Sequence, residues 1–105
     1  MTKEKKITNA MAIPGLMSPD EIAADIWGFK PELITKKTRK REVVEARQVM
    51  MVYRHITLKQ SQVASAGYYG KDHSTVVHSQ KTIKNLLETN IKFKDKYERF
   101  YKCVL

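Results

Sequence analysis

The sequence predicts an all-α domain, and three observations carry that prediction. Apolar residues recur every three or four positions in successive windows, the spacing of one face of a helix. Helix start and stop signals bracket those windows. No window shows the alternation of apolar and polar residues that a half-buried strand requires. At 105 residues the chain has room for one domain.

Residues 1–17 mix charge with Asn9, Pro14 and Gly15 and hold no sustained period, so they read as a flexible N-terminal tail. The helical domain is expected over 18–105. Its first helix opens at Ser18-Pro19-Asp20-Glu21. Ser18 suits the N-cap, Pro19 the first helical position, and Glu21 completes a capping box. Ile22, Ala23 and Ile26 give its apolar face, Trp27 lies beside it, and Gly28 ends it. Pro31-Glu32-Leu33-Ile34 reads as a short helical turn.

A longer helix is expected from about Arg41 to Ile56, with Val43, Ala46, Val49, Met50, Val52, Tyr53 and Ile56 as its buried stripe. Lys59 to about Ala66 reads as a short helix with Val63 and Ala64 facing inward. Gly67 marks its end, and Tyr68-Tyr69-Gly70 is a turn. A long helix then runs from Asp72 to about Glu88, capped by Asp72 or Ser74, with Val76, Val77, Ile83, Leu86 and Leu87 as its apolar face. Asn90 breaks the pattern. From Ile91 a last helix packs back through Tyr97, Phe100, Tyr101 and Val104.

Charge narrows the range of partners. Twenty Lys and Arg stand against eleven Asp and Glu, a net charge of +9. A balance this basic in a small chain points to a polyanion, nucleic acid foremost and an anionic membrane surface second. No stretch approaches the roughly 20 apolar residues that span a bilayer. No apolar segment follows the charged start, so no secretory signal is expected. The single cysteine, Cys103, forms no internal disulfide, which fits a reducing cytoplasm. No activated nucleophile and no metal-ligand set is evident, so an enzyme, a metal and a cofactor are not expected. His73 and His78 lie five apart, on different faces of a helix, and Asp72-His73-Ser74 are neighbours that point apart, so they form no triad.

A short helix, a Gly-containing turn and a longer helix opened by polar residues form a helix-turn-helix, expected at about 59–88. In that arrangement the N-terminal residues of the second helix meet base edges in the major groove. Here those are Asp72, His73, Ser74 and Thr75. An Asp accepts from a cytosine amino group, a His donates or accepts at purines, and a Thr offers a hydroxyl and a methyl. Lys71, at the turn, suits a phosphate. Upstream, Lys36-Lys37-Thr38-Arg39-Lys40-Arg41 carries five cations in six residues, a segment suited to phosphates or to a narrow minor groove.

This arrangement resembles the C-terminal DNA-binding domain of the bacterial replication initiator DnaA. That family carries a motif close to Gly-Gly-Arg-Asp-His-Thr-Thr-Val-x-His, preceded by a basic loop and an Arg-Gln pair. The matching segments are Lys36–Arg41, Ala46-Arg47-Gln48 and Tyr69–His78, and the resemblance covers roughly residues 18–88. It implies an all-helical, Trp-repressor-like fold and duplex DNA as partner. It also implies a role for each matching position. Arg39 is the minor-groove arginine. Arg47 and Gln48 touch phosphates. Asp72, His73, Ser74 and Thr75 read bases, and His78 makes a further backbone contact. Lys36, Lys37, Lys40, Arg41, Lys71 and Lys81 complete the phosphate-facing set.

The chain also departs from the family. Tyr69 replaces the first motif glycine, so a turn needing positive φ there would be reshaped. Ser74 replaces a Thr and loses a methyl. Thr82 stands where the family usually has a lysine, with Lys81 and Lys84 close by. Gln62 replaces a common proline. The chain contains no Gly-x-x-x-x-Gly-Lys-Ser/Thr phosphate loop. The resemblance thus implies a stand-alone reader of sites similar to the family's box, TTATNCACA, in replication or transcription control without ATPase activity. It would be monomeric and nucleoid-associated in the cytoplasm. The chain is expected to be either a stand-alone relative or a fragment, and Met1 and the short tail favour the expectation of a complete small protein, from a phage or mobile element. The competing reading is an interaction module that keeps the fold and presents Tyr68, Tyr69 and the aromatic last helix to a protein partner.

Overall fold

The computed structural model describes residues 17–105. Five α-helices follow one another: α1 (Pro19–Trp27), α2 (Arg41–Val52), α3 (Gln62–Gly67), α4 (Ser74–Thr89) and α5 (Ile91–Val104). A 3-10 turn, Pro31–Thr35, separates α1 from α2, and a π-helical turn, Tyr53–Thr57, continues α2 directly. No strand occurs among the described residues, so the fold is the expected all-α helix-turn-helix bundle. The predicted tail lies outside the described residues except for Met17, whose side chain packs against the core.

The capping box of α1 forms as its sequence dictates. Ser18 Oγ accepts from the Glu21 N–H at 3.2 Å, and Glu21 Oε1 accepts from the Ser18 N–H at 2.8 Å. Gly28 closes the helix at φ 83°, a left-handed conformation that suits glycine. The centre of the bundle is α2, with Val43, Ala46, Val49, Met50 and Met51 buried. α1 covers one side of it and α4 another. α5 seals the core with aromatic side chains: Phe93 meets Trp27 edge-on at 6.1 Å and Phe100 meets Tyr53 edge-on at 5.4 Å.

The end of α2 differs from the expected regular helix. The Leu58 N–H donates to the Tyr53 carbonyl at 3.1 Å, an i to i+5 bond that widens the turn. The wider turn shifts the helical phase, and Ile56, expected in the stripe, is exposed. Lys59 then closes the turn at φ 62°. It is a non-glycine residue in the left-handed region, which costs about 1–2 kcal/mol.

α3 also differs in phase. Ser61 caps it, accepting from the Ala64 N–H at 3.0 Å. Ser65 and Ala66 face the core, whereas Val63 is 68% exposed and Ala64 is exposed. Two small side chains on the buried face let α3 lie close against α4. The hydroxyls of Ser65 and of Ser79 on α4 are buried and find no hydrogen-bond partner among the described residues.

Two stability measurements follow from this packing. Lys59→Gly removes the left-handed strain but frees the unfolded chain, for a net gain of up to about 1 kcal/mol in denaturant unfolding. A loss of stability would mean that the Lys59 side chain makes a compensating contact. Phe100→Ala should cost about 3–5 kcal/mol, because α5 closes the core. A cost under 1 kcal/mol would make α5 an appendage.

Candidate DNA interface

The basic loop is held from behind. Ile34 is buried at the base of the 3-10 turn. Arg47 reaches out from α2, its Nε donating to the Ile34 carbonyl at 2.9 Å and its Nη2 to the Lys36 carbonyl at 2.8 Å. These bonds tie the loop backbone to the core. Lys36, Lys37, Arg39 and Lys40 are left exposed. The Lys40 N–H donates to Thr38 Oγ1 at 3.3 Å, a local bond that bends the loop into α2.

Arg47, expected at a phosphate, lies on the inner side of the loop. It is only 4% exposed, and burial pulls its guanidinium pKa below the ordinary value. Two of its five N–H donors are given to these carbonyls, so it holds the loop from behind. Gln48, its neighbour, is half-buried on α2. Arg41 is exposed, with its Nε 3.9 Å from Glu45 Oε2. Glu45 Oε1 accepts from Trp27 Nε1 at 3.2 Å, so this carboxylate links the start of α2 to α1.

The turn between α3 and α4 is built around Gly70. Its φ is 69°, its N–H donates to the Gly67 carbonyl at 3.0 Å, and the Lys71 N–H donates to the Ala66 carbonyl at 3.0 Å. This pair of bonds is a Schellman motif, which needs one left-handed residue. Gly70 supplies it. Tyr69 has no positive φ, so the substitution does not reshape the turn in the way the sequence suggested. Tyr69 instead turns its ring into the core, 4% exposed.

At the start of α4, Asp72 Oδ2 accepts from the Ser74 hydroxyl at 2.6 Å and from the Ser74 N–H at 3.2 Å. These bonds hold the Asp72 carboxyl below the usual carboxylate range. Asp72 is thus an acceptor only, and the Ser74 hydroxyl has committed its proton to it, leaving lone pairs free. His73 and Asp72 lie side by side, Nδ1 to Oδ1 3.4 Å, both exposed. Thr75 is half-buried.

Val76, Ser79 and Ile83 form the buried face of α4. Helical spacing then puts Ser74, Val77, His78 and Lys81 on the opposite face, and all four are exposed. Val77 was expected inside and is 41% exposed. It is an apolar group among the candidate readers that the sequence reading missed. Its position three residues after Ser74 and four before Lys81 was the available signal. The Thr82 hydroxyl donates to the His78 carbonyl at 3.1 Å, back into its own helix.

Loop and turn meet. Thr35, Lys36, Lys37, Thr38 and Arg39 line one wall of a cleft of about 350 Å³, and Tyr69, Gly70 and Lys71 line the other. The cationic loop thereby adjoins the N-terminal end of α4, although the two are more than thirty residues apart in sequence. Four cations around one cleft, beside the positive end of a helix dipole, give a surface suited to a polyanion.

This geometry defines a helix-turn-helix domain with a basic accessory loop. The family model for the bacterial dnaA protein helix-turn-helix matches residues 20–83, and the chain belongs to that family, a DNA-binding domain. Among similar proteins, the chromosomal replication initiator protein DnaA of Flavobacterium psychrophilum is 34% identical over 92 residues, covering 87% of this chain and 19% of that protein. DnaA of Campylobacter concisus is 37% identical over 71 residues, covering 67% of this chain and 16% of its own. DnaA of Francisella tularensis subsp. novicida is 29% identical over 79 residues. The chain thus spans under a fifth of the length of these relatives. No solved structure matches it. Among the described residues there is no cluster of three or more metal-ligating side chains, and no helix is long and apolar enough to cross a membrane.

The role of Arg47 is measurable. Arg47→Lys keeps a charge but cannot fork to both carbonyls. It should lower stability by about 1–3 kcal/mol in denaturant unfolding. Unchanged stability would remove the loop-anchor assignment.

Proposed function

We propose that the chain is a sequence-preferring reader of double-stranded DNA that occupies sites like the DnaA box. It acts by occupancy, in replication or transcription control, without ATPase activity of its own. The observation that carries this reading is the single cleft shared by the basic loop and the turn before α4. A loop and a helix end that adjoin can engage neighbouring grooves of one duplex at the same time. The family relationship supports the same reading.

Each group then has a part. Arg39 enters the minor groove, where the potential is most negative. Asp72, His73, Ser74 and Thr75 meet base edges in the major groove. Asp72 and Ser74, both presenting acceptors, suit the amino groups of cytosine or adenine. Val77 offers an apolar contact to a thymine methyl and can offset the methyl that Ser74 lacks. Lys36, Lys37, Lys40, Arg41, Lys71, His78, Lys81 and Gln48 face phosphates, while Arg47 acts through the loop. The protein binds as a monomer and resides on the nucleoid in the cytoplasm.

The burial of most of its aromatic residues weighs against the interaction-module reading. Tyr69, Phe93 and Phe100 are buried, Tyr97 and Tyr101 are half-buried, and only Tyr68 of this set is exposed.

Fluorescence anisotropy on a duplex with one DnaA box and on a scrambled duplex tests the proposal. Tighter binding to the box is expected, and equal affinity for both would contradict sequence preference. His73→Ala should cost about 1–3 kcal/mol at the box and relax base preference. A uniform loss on every sequence would make His73 a backbone contact. Lys37→Ala should lower the salt dependence of binding, by about one unit of log–log slope, without changing base preference. An unchanged slope would remove it from the phosphate set.

A further inference from the structure

Three polar side chains from distant segments, two buried and one half-buried, close into one ring. The Tyr69 hydroxyl donates to Asp20 Oδ1 at 2.6 Å and accepts from Arg54 Nε at 2.9 Å. Arg54 Nη2 donates to Asp20 Oδ2 at 2.9 Å. Asp20 comes from the first turn of α1, Arg54 from the π-helical turn after α2, and Tyr69 from the turn that leads into α4. Asp20 and Tyr69 are buried, and the Arg54 side chain is 15% exposed. The Arg54 guanidinium also lies over the Tyr68 ring, 3.9 Å from its centroid. Tyr68 packs edge-on against Tyr69 at 4.9 Å.

The arrangement is costly to leave half-made. A buried carboxylate and a half-buried guanidinium each need their partners, and removing one strands the other. Each of the three side chains engages the other two. The ring fixes the Tyr69 side chain one residue before Gly70, where the chain reverses into α4. The Schellman bonds fix the local shape of that turn, but all of them lie within residues 66–71. They cannot set the direction in which the turn leaves the body of the domain. The Asp20–Arg54–Tyr69 ring ties it to α1 and to the end of α2.

We propose that Asp20, Arg54 and Tyr69 are positioning residues that lock the helix-turn-helix turn against α1, so that the first turn of α4 is held at a fixed angle to the basic loop. The inference rests on the reading of α4 and the loop as one DNA interface. None of the three touches DNA. They act by keeping Asp72, His73 and Ser74 in register with Arg39. The π-helical turn has a purpose in this arrangement, because its widened backbone carries Arg54. The glycine-to-tyrosine change at position 69 then brings an anchoring hydroxyl that glycine cannot supply.

Tyr69→Phe keeps the ring and deletes the hydroxyl, and Asp20→Asn keeps the shape and deletes the charge. Two measurements on wild type and both variants decide the proposal. The first is amide hydrogen exchange of the free protein. Faster exchange is expected over Lys71–Val76 in both variants, with little change in the middle of α2 and α5. Unchanged exchange at Lys71–Val76, or an equal acceleration in every helix, would overturn the positioning role. The second is anisotropy on the box and scrambled duplexes. Box selectivity should fall about tenfold in Tyr69→Phe with the salt slope unchanged, since the phosphate contacts remain. A selective wild type with an equally selective Tyr69→Phe would overturn the link to DNA reading. A wild type that does not discriminate the two duplexes would instead defeat the proposed function, and the exchange experiment would still decide the anchor.

Discussion

The fork of Arg47 onto the Ile34 and Lys36 carbonyls is the constraint on which the candidate interface depends. A loop with five cations in six residues repels itself and has no apolar side chain of its own to bury. Left to its own charges it would extend into solvent in many conformations. A buried guanidinium that satisfies two of its backbone carbonyls selects one. The cost of burying that charge is offset by the bonds it makes, and the loop is presented against the turn before α4.

The rest of the bundle serves the same juxtaposition. α2 carries Arg47 on one side and, through the π-helical turn, Arg54 on another. One arginine fixes the basic loop and the other bonds to Tyr69 in the turn leading into α4. The small residues Ser65 and Ala66 allow α3 to pack closely on α4. α5 contributes Phe93 and Phe100 to the core. It lies beyond residues 20–83, the part matched by the family model, yet Phe93 and Phe100 pack against Trp27 and Tyr53 within it.

Much of this was legible in the sequence. Among the described residues each helix was readable from spacing and punctuation: Ser18 to Glu21 for the start of α1, Gly28 for its end, and Asn90 for the junction of α4 with α5. The basic loop and the polar start of α4 stood out by composition. What was not legible was long-range or depended on phase. Nothing local to Arg47 says that its guanidinium points inward to carbonyls eleven and thirteen residues earlier. The i to i+5 turn at Tyr53 rotated Ile56 outward, and no breaker residue announces it. Val63 and Val77 were placed inside because they are apolar, but burial follows the helix face, and the faces of α3 and α4 are set by Ala66, Val76 and Ile83. The turn residue Tyr69 looked like a misplaced glycine, whereas Gly70 alone carries the left-handed conformation. Its hydroxyl partner, Asp20, lies forty-nine residues away.

In the proposed reading the loop and the start of α4 engage one duplex together. Chemical footprinting on a single-box duplex measures this directly, with hydroxyl radicals probing the minor groove and dimethyl sulfate probing guanine N7 in the major groove. Simultaneous engagement predicts minor-groove protection next to major-groove protection within one site, with the minor-groove part lost in Arg39→Ala and the major-groove part retained. Protection confined to one groove, or protection of both that Arg39→Ala leaves intact, would contradict a two-part reader.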